Sequence, residues 1–329
     1  MPVPYSSNSA ATELVTDYAS LIKNKSILIT GVSPGSLGSV YAQSIAKADP
    51  KTLIIAGRNP TKLEQCVGDI VSEYPTVNIR TLQIDLGSLC SVRRATVEVN
   101  GWDDLPAIDV LVNNAGIMGV DYKLSADGFE SQFATNHLGP FLLTNLIMEK
   151  ILKSNSPRIV MVSSDGHRLS PVRFDDYNFD SGKTYHKWLA YGQSKTANML
   201  MARSLANKLG VKYGLLAFSL HPGVIFTNLG NHLDWEKEDM DGLLSTDRLL
   251  GNREGWRSGF NPKTLDQGVA THIYASFDLS VKATNGAYLI DSHVADPLLD
   301  TVKAWATSGF EAERLWRLSE RLVAQEFPY

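Results

Sequence analysis

The sequence predicts a doubly wound α/β fold: one domain built on a parallel sheet of about seven strands, with helices on both faces. Three observations point to it. Short apolar runs, SILIT at 26–30 and TLIIA at 52–56 among them, alternate with segments of helical periodicity at the spacing of strand–helix–strand units. A glycine-rich turn from Gly31 to Gly38 joins the first strand to the first helix. The polar motifs fall just past strand ends, the edge at which such sheets bind ligands.

Composition narrows the function classes. Of the 329 residues, 43% are apolar and 20% charged, the balance of a globular protein able to bury a large core. A net charge of −4 offers no electrostatic case for nucleic acid or an anionic membrane. Cys66 and Cys90 are too few for a disulfide framework or a metal cluster, so no metal site is expected and a reducing, cytoplasmic location is. The first residues lack a basic patch followed by an apolar core, and no apolar run approaches the roughly 18 residues of a membrane span.

In chain order, residues 1–25 form an extension and 26–329 a single domain. The extension holds a short helix over 12–23, with Thr12 in position to cap it. The strand at 26–30 runs through Thr30 and Gly31 into Val32-Ser33-Pro34-Gly35-Ser36-Leu37-Gly38, and a helix follows over 39–48. Glycines let such a turn approach a pyrophosphate, and the free N–H groups of the first helical turn bind the anion. The second strand ends at Gly57-Arg58-Asn59, with Lys62 one helical turn further on. An acidic residue there binds the adenosine ribose of NAD, whereas an arginine suits the 2′-phosphate of NADP. A solvated surface arginine is the competing reading, and its position directly after the second strand favours the cofactor.

A third strand over 77–84 closes on Asp85-Leu86, and a fourth over 110–112 runs into Asn113-Asn114-Ala115-Gly116. One long helix is expected over 128–153, and Asn136 in its apolar middle needs a bonded partner. The fifth strand, 158–162, ends in Ser163-Ser164-Asp165-Gly166-His167. An aromatic-rich insertion over 168–190 follows, then a helix containing Tyr191 and Lys195. The sixth strand, 215–220, leads to Pro222-Gly223-Val224-Ile225-Phe226-Thr227. Residues 228–262 read either as a substrate-binding lid or as a surface excursion. A helix at 264–277, a seventh strand at 286–291 and a terminal helix at 311–325 complete the chain.

The pair at 191 and 195 carries the chemistry. Positions i and i+4 share a helix face, so the phenol and the ammonium can enter one cavity. A cation about 5 Å away at an effective dielectric near 20 is worth roughly 3 kcal/mol, or about two pKa units. That shift would bring a tyrosine toward the range of efficient general acid–base catalysis.

With these motifs in this order, from Ser26 to the terminal helix, the chain resembles the short-chain dehydrogenase/reductases, enzymes on a Rossmann-type domain. It is similar to the retinol-dehydrogenase-like and WW-domain-oxidoreductase-like branch, fungal members included. The resemblance implies a catalytic set of Asn136, Ser164, Tyr191 and Lys195. Tyr191 would donate or remove the proton, Lys195 would lower its pKa and bond the nicotinamide ribose, Ser164 would bond the substrate oxygen and Asn136 would anchor a relay water. It also implies a cofactor surface of Thr30, Gly31, Ser33, Gly35, Ser36, Leu37, Gly38, Arg58, Asn59, Asp85, Leu86, Asn114, Ala115, Gly116, Tyr191, Lys195, Pro222, Gly223, Ile225 and Thr227. NADP(H) is the implied cofactor ahead of NAD(H). Two departures from the family pattern stand out. The glycine turn is one residue longer than usual, so Ser36 is expected to crowd the pyrophosphate unless the loop bulges, and the interval from Ser164 to Tyr191 is long.

The function expected is NADP(H)-dependent interconversion of a carbonyl and an alcohol on a bulky, fairly apolar small molecule, its pocket built by 168–190 and 228–262. A cofactor-binding sensor on the same scaffold and a non-redox enzyme of specialised metabolism are the alternatives. His137, His167 and His221 read as ordinary hydrogen-bonded histidines, with His167 a candidate substrate contact. Leu142, Leu143, Leu146, Ile147 and Ile151 suit either a homodimer face or the core of a monomer.

Overall fold

The apolar runs become the middle of one sheet. In the computed structural model, which describes residues 5–252, 256 and 260–329, its strands are β1 (Ser26–Thr30), β2 (Thr52–Gly57), β3 (Ile79–Gln83), β4 (Val110–Asn113), β5 (Arg158–Val162), β6 (Leu216–His221), β7 (Tyr288–Ile290) and β8 (His293–Val294). Their order is β3-β2-β1-β4-β5-β6-β7-β8, with every neighbouring pair parallel except β7 and β8. The short antiparallel β8 is the strand the sequence reading lacked. From β1 the chain winds outward to β3, then crosses back to β4, so a crevice opens where β1 and β4 end side by side.

The central strands are buried on both faces, which is why they read as unbroken apolar runs rather than alternating ones. Ile27 and Ile29 point into one core and Leu28 into the other. The first core is covered by α1 (Ala11–Asp17), α2 (Leu37–Ala46), α3 (Pro60–Glu73) and a helix over Leu265–Phe277. The second is covered by α4 (Leu89–Asn100), α5 (Gly139–Leu146), α6 (Lys187–Tyr213) and a C-terminal helix over Gly309–Leu322. Between α6 and the Leu265–Phe277 helix lies α7 (Glu238–Leu249); the two later helices are α8 and α9.

Three local expectations give way. The helix expected over 12–23 breaks at Tyr18, and Ala10 takes the capping position. Thr12 is occupied elsewhere, its N–H and hydroxyl both donating to Asp266 at 3.2 and 3.0 Å. The third strand is shorter than 77–84, and the helix expected over 128–153 is four pieces: Ser131–Phe133, a π-helical turn over Ala134–Leu138, α5 and Met148–Leu152. Buried Glu130 starts the first piece, its carboxylate accepting from the N–H groups of Gln132 and Phe133 at 2.8 and 2.7 Å. At Gly139 a Cβ would stand 2.2 Å from the Leu86 carbonyl, so the segment is pressed against the loop after β3. Residues 1–4 of the extension, and 253–255 and 257–259 of the 228–262 segment, lie outside the described residues.

The C-terminal helix braces the site from behind. Ser204 on α6 donates to the Ala312 carbonyl at 3.0 Å, and His137 Nε2 lies 2.7 Å from Ser319 Oγ. Phe141 on α5 meets the rings of Trp316 and Phe327 at 5.0 and 5.7 Å. Leu142, Leu143, Ile147 and Ile151 are buried in the same cluster as Leu315 and Trp316, and Leu146 is half-buried against it.

Candidate active site

At the mouth of β1, Gly31 adopts φ +77°, and a Cβ there would lie 2.6 Å from Ala115 Cα. The β1 and β4 loops are therefore in direct backbone contact. Thr30 fixes them: its hydroxyl oxygen accepts from the N–H groups of Asn114 and Ala115, both at 3.1 Å, and its carbonyl accepts from Asn114 Nδ2 at 2.8 Å. The extra residue of the turn is absorbed as a helix cap. Ser36 Oγ accepts from Ser33 N and Ser39 N, each at 3.1 Å, and donates to the Gly31 carbonyl at 3.2 Å. Gly35, at φ +73°, makes the bulge that turns this hydroxyl into the loop. The N–H groups of Leu37 and Gly38 keep no partner among the described residues, the orphan donors of a helix N-terminus.

Asn136 sits in the π-helical turn, fully buried. Its Oδ1 accepts from Ile117 N at 2.8 Å, and its Nδ2 donates to the Ile117 carbonyl and to Ser194 Oγ, both at 2.9 Å. The side chain thus holds the loop after β4 against α6.

Ser164 lies two residues past β5 and caps the short turn Asp165–Leu169, accepting from Gly166 N at 3.0 Å. Gly166 is required there, because a Cβ would stand 2.6 Å from Cε1 of the Tyr191 ring. Tyr191 and Lys195 are 6% and 4% exposed on the first third of α6. The Lys195 ammonium lies 5.6 Å from the tyrosine ring centroid and donates to the Val162 carbonyl at 3.1 Å. Burial pushes the phenol up to about 12, partly offset by Ser164. Burial also pulls the ammonium down to about 8. In the protein by itself burial dominates both groups, so the acidification of Tyr191 expected from Lys195 does not appear in its direction of shift.

Tyr191, Lys195 and Ser164 line one cavity of about 910 Å3, shared with the β1 turn, the 114–116 segment and, at its far end, Arg58 and Lys62. Pro222, Gly223, Ile225 and Thr227 line it too, as do Thr30, Ser33, Leu37, Asn59 and Leu86. Four of the expected residues do not. Gly35 and Gly38 shape the turn, Asn136 lies behind the wall, and exposed Asp85 turns its carboxylate to its own loop, accepting from Gly87 N at 2.9 Å. Asn59 reaches the cavity, but its side chain caps α3 by accepting from Lys62 N at 3.2 Å. His167 is buried outside the cavity, with Nδ1 2.9 Å from the Ser164 carbonyl. The apolar arm is walled by Met118, Leu169, Trp188, Leu233, Trp235 and Leu243, so both segments expected to build a pocket contribute. Sequence reasoning missed Asn198, one turn past Lys195, whose Nδ2 shares the Val162 carbonyl with the ammonium at 3.1 Å.

Comparison with known proteins places this geometry. Retinol dehydrogenase 14 of Mus musculus is 35% identical over 314 residues, covering 92% of this chain and 87% of the relative. The chain belongs to the short-chain dehydrogenase/reductase family. The family's short chain dehydrogenase model matches residues 25–178. A short-chain dehydrogenase/reductase, prx1, of Penicillium rubens is 34% identical over 312 residues, covering 92% of this chain and 86% of that one. Among solved structures, an uncharacterized protein from Mycobacterium Paratuberculosis is similar at a TM-score of 0.69 and 32% identity, covering 94% of this chain and 96% of that chain. As a short-chain dehydrogenase/reductase the protein is an oxidoreductase. Among the described residues no helix is long and apolar enough to cross a membrane.

Proposed function

We propose that this short-chain dehydrogenase/reductase is NADP(H)-dependent and interconverts a ketone or aldehyde and an alcohol on a bulky, fairly apolar small molecule, with Tyr191 as general acid and base. One observation carries the reading: a buried phenol, a hydroxyl and an ammonium line the same cavity as two cations, Arg58 and Lys62. Such a donor set fits a phosphorylated dinucleotide at one end and a carbonyl oxygen at the other. The retinol dehydrogenases it is similar to are, by name, enzymes of an alcohol.

When bound, the nicotinamide supplies the hydride. The chain's own residues do the rest. The N–H group of Leu37 at the start of α2 would hold the pyrophosphate, and Arg58 with Lys62 the 2′-phosphate. Ser164 would donate to the carbonyl oxygen, and Tyr191, protonated at neutral pH, would pass its proton to the developing alkoxide. Lys195 would stabilise the phenolate left behind and bond the ribose. The indole walls exclude water and favour an apolar body on the substrate.

Loss of NADPH absorbance against a panel of ketones and aldehydes tests the proposal; NADPH binding with no turnover of any of them would favour a sensor instead. Arg58→Ala should raise the KM for NADPH about tenfold or more and leave that for NADH nearly unchanged. Equal effects on the two would remove the 2′-phosphate role.

A pH dependence follows from Lys195. As its pKa is depressed to about 8, the ammonium is lost as pH rises through that value, and the phenolate formed on proton donation loses its cation. Carbonyl reduction should therefore be sustained below that value and decline above it. kcat/KM measured from about pH 6 to about pH 10 would show the falling limb, and a flat profile would rule it out.

A further inference from the structure

We propose that Arg168 and Asp247 are positioning residues that latch α7 to the turn carrying Ser164 and so fix the width of the substrate pocket. This rests on the carbonyl/alcohol reading above and goes beyond it, to what selects the substrate. Arg168 is 5% exposed and Asp247 2% exposed, 79 residues apart in sequence. The guanidinium donates through Nε to Asp247 Oδ1 at 2.8 Å and through Nη2 to Oδ2 at 3.1 Å, the planar fork that lysine cannot make. Its Nη1 reaches Asp165, the residue after Ser164, at 3.3 Å. Asn252 Nδ2 donates to Asp247 at 2.8 Å, and the Lys303 ammonium bonds Asn252 Oδ1, so a half-buried cation joins the buried Arg168–Asp247 pair through Asn252.

The cluster touches the pocket directly. The guanidinium lies 4.7 Å from the centroid of the Trp256 ring, which lines the cavity together with Met240 and Leu243 of α7. At the other end of α7, Lys187 donates to Asp239 Oδ1 at 2.9 Å and the Trp188 indole N–H to the Asp239 carbonyl at 3.0 Å. One helix is thus tied at both ends to the elements that carry Ser164 and Tyr191. A buried ion pair contributes little net stability compared with apolar residues of the same volume, but it does fix a register. Here the register is the gap between α7 and the reacting hydroxyls, set by the protein before a substrate arrives.

The test uses Asp247→Asn, Arg168→Lys and the double variant Arg168→Met/Asp247→Leu, which keeps volume without leaving a lone buried charge. NADPH affinity, by fluorescence titration, should stay within about twofold of wild type. The KM for a bulky carbonyl should rise on the order of tenfold, the preference between a bulky and a compact carbonyl should shrink, and Arg168→Lys should fall in between. Trypsin, which can cut after Lys237 and Arg248 at the two ends of α7, should cleave the variants faster, and the double variant should do so at a melting temperature close to that of wild type. Unchanged selectivity and protection in a folded variant, or equal shifts for NADPH and carbonyl, would overturn the latch. If the single variants fail to fold, the double variant decides. If wild type reduces no carbonyl in the panel, the functional reading falls, and the trypsin comparison still decides whether α7 is latched.

Discussion

Tyr191→Phe is expected to cut turnover by on the order of a thousandfold or more while NADPH binds nearly as before. The substitution removes one hydroxyl and keeps a ring that is already enclosed, packed against Gly166 and 6.4 Å from the Trp188 ring centroid. The fold therefore has no reason to move. The donors proposed for the dinucleotide lie at the β1 turn and at Arg58, at the other end of the cavity. What is lost is the proton that Ser164 cannot supply by itself. Stopped-flow or steady-state kcat, set beside a fluorescence titration with NADPH, separates the two effects. Wild-type turnover in this variant would end the assignment of Tyr191.

The second large effect is on stability. Trp316→Ala should cost about 3–5 kcal/mol, the range for emptying an aromatic site in a packed core. Trp316 is 3% exposed, makes an edge contact with Phe141 and lies under the Lys208 ammonium at 5.1 Å. Urea unfolding at constant m-value measures the loss as a lower midpoint. A change below about 1 kcal/mol would mean that α9 packs loosely on α5 and α6.

What could be read in advance had local causes. The SILIT and TLIIA runs announce buried parallel strands because both faces must be apolar. The pair at 191 and 195 is legible because helical spacing by itself puts two side chains on one face. What could not be read depends on tertiary surroundings. The π-helical turn around Asn136 is masked by the continuous apolar pattern of 128–153, and only the bonds to Ile117 and Ser194 reveal it. Asp85 follows a strand, as the expected cofactor ligand would, and the bond its carboxylate accepts from Gly87 N two residues on is not reported by the spacing. The signal that Asn59 caps a helix was present in the Asn-Pro pair that starts α3. The sign of the Tyr191 shift turned on burial, which spacing does not report. No periodicity links Arg168 to Asp247.

The brace made by α9 also separates support from chemistry along the chain. Every strand of the sheet lies at or before Val294, as do Asn136, Ser164, Tyr191 and Lys195, whereas the helix that props α5 and α6 begins at Gly309. A shortfall in activity caused by damage to that helix would therefore be conformational in origin, since none of the four lies in it.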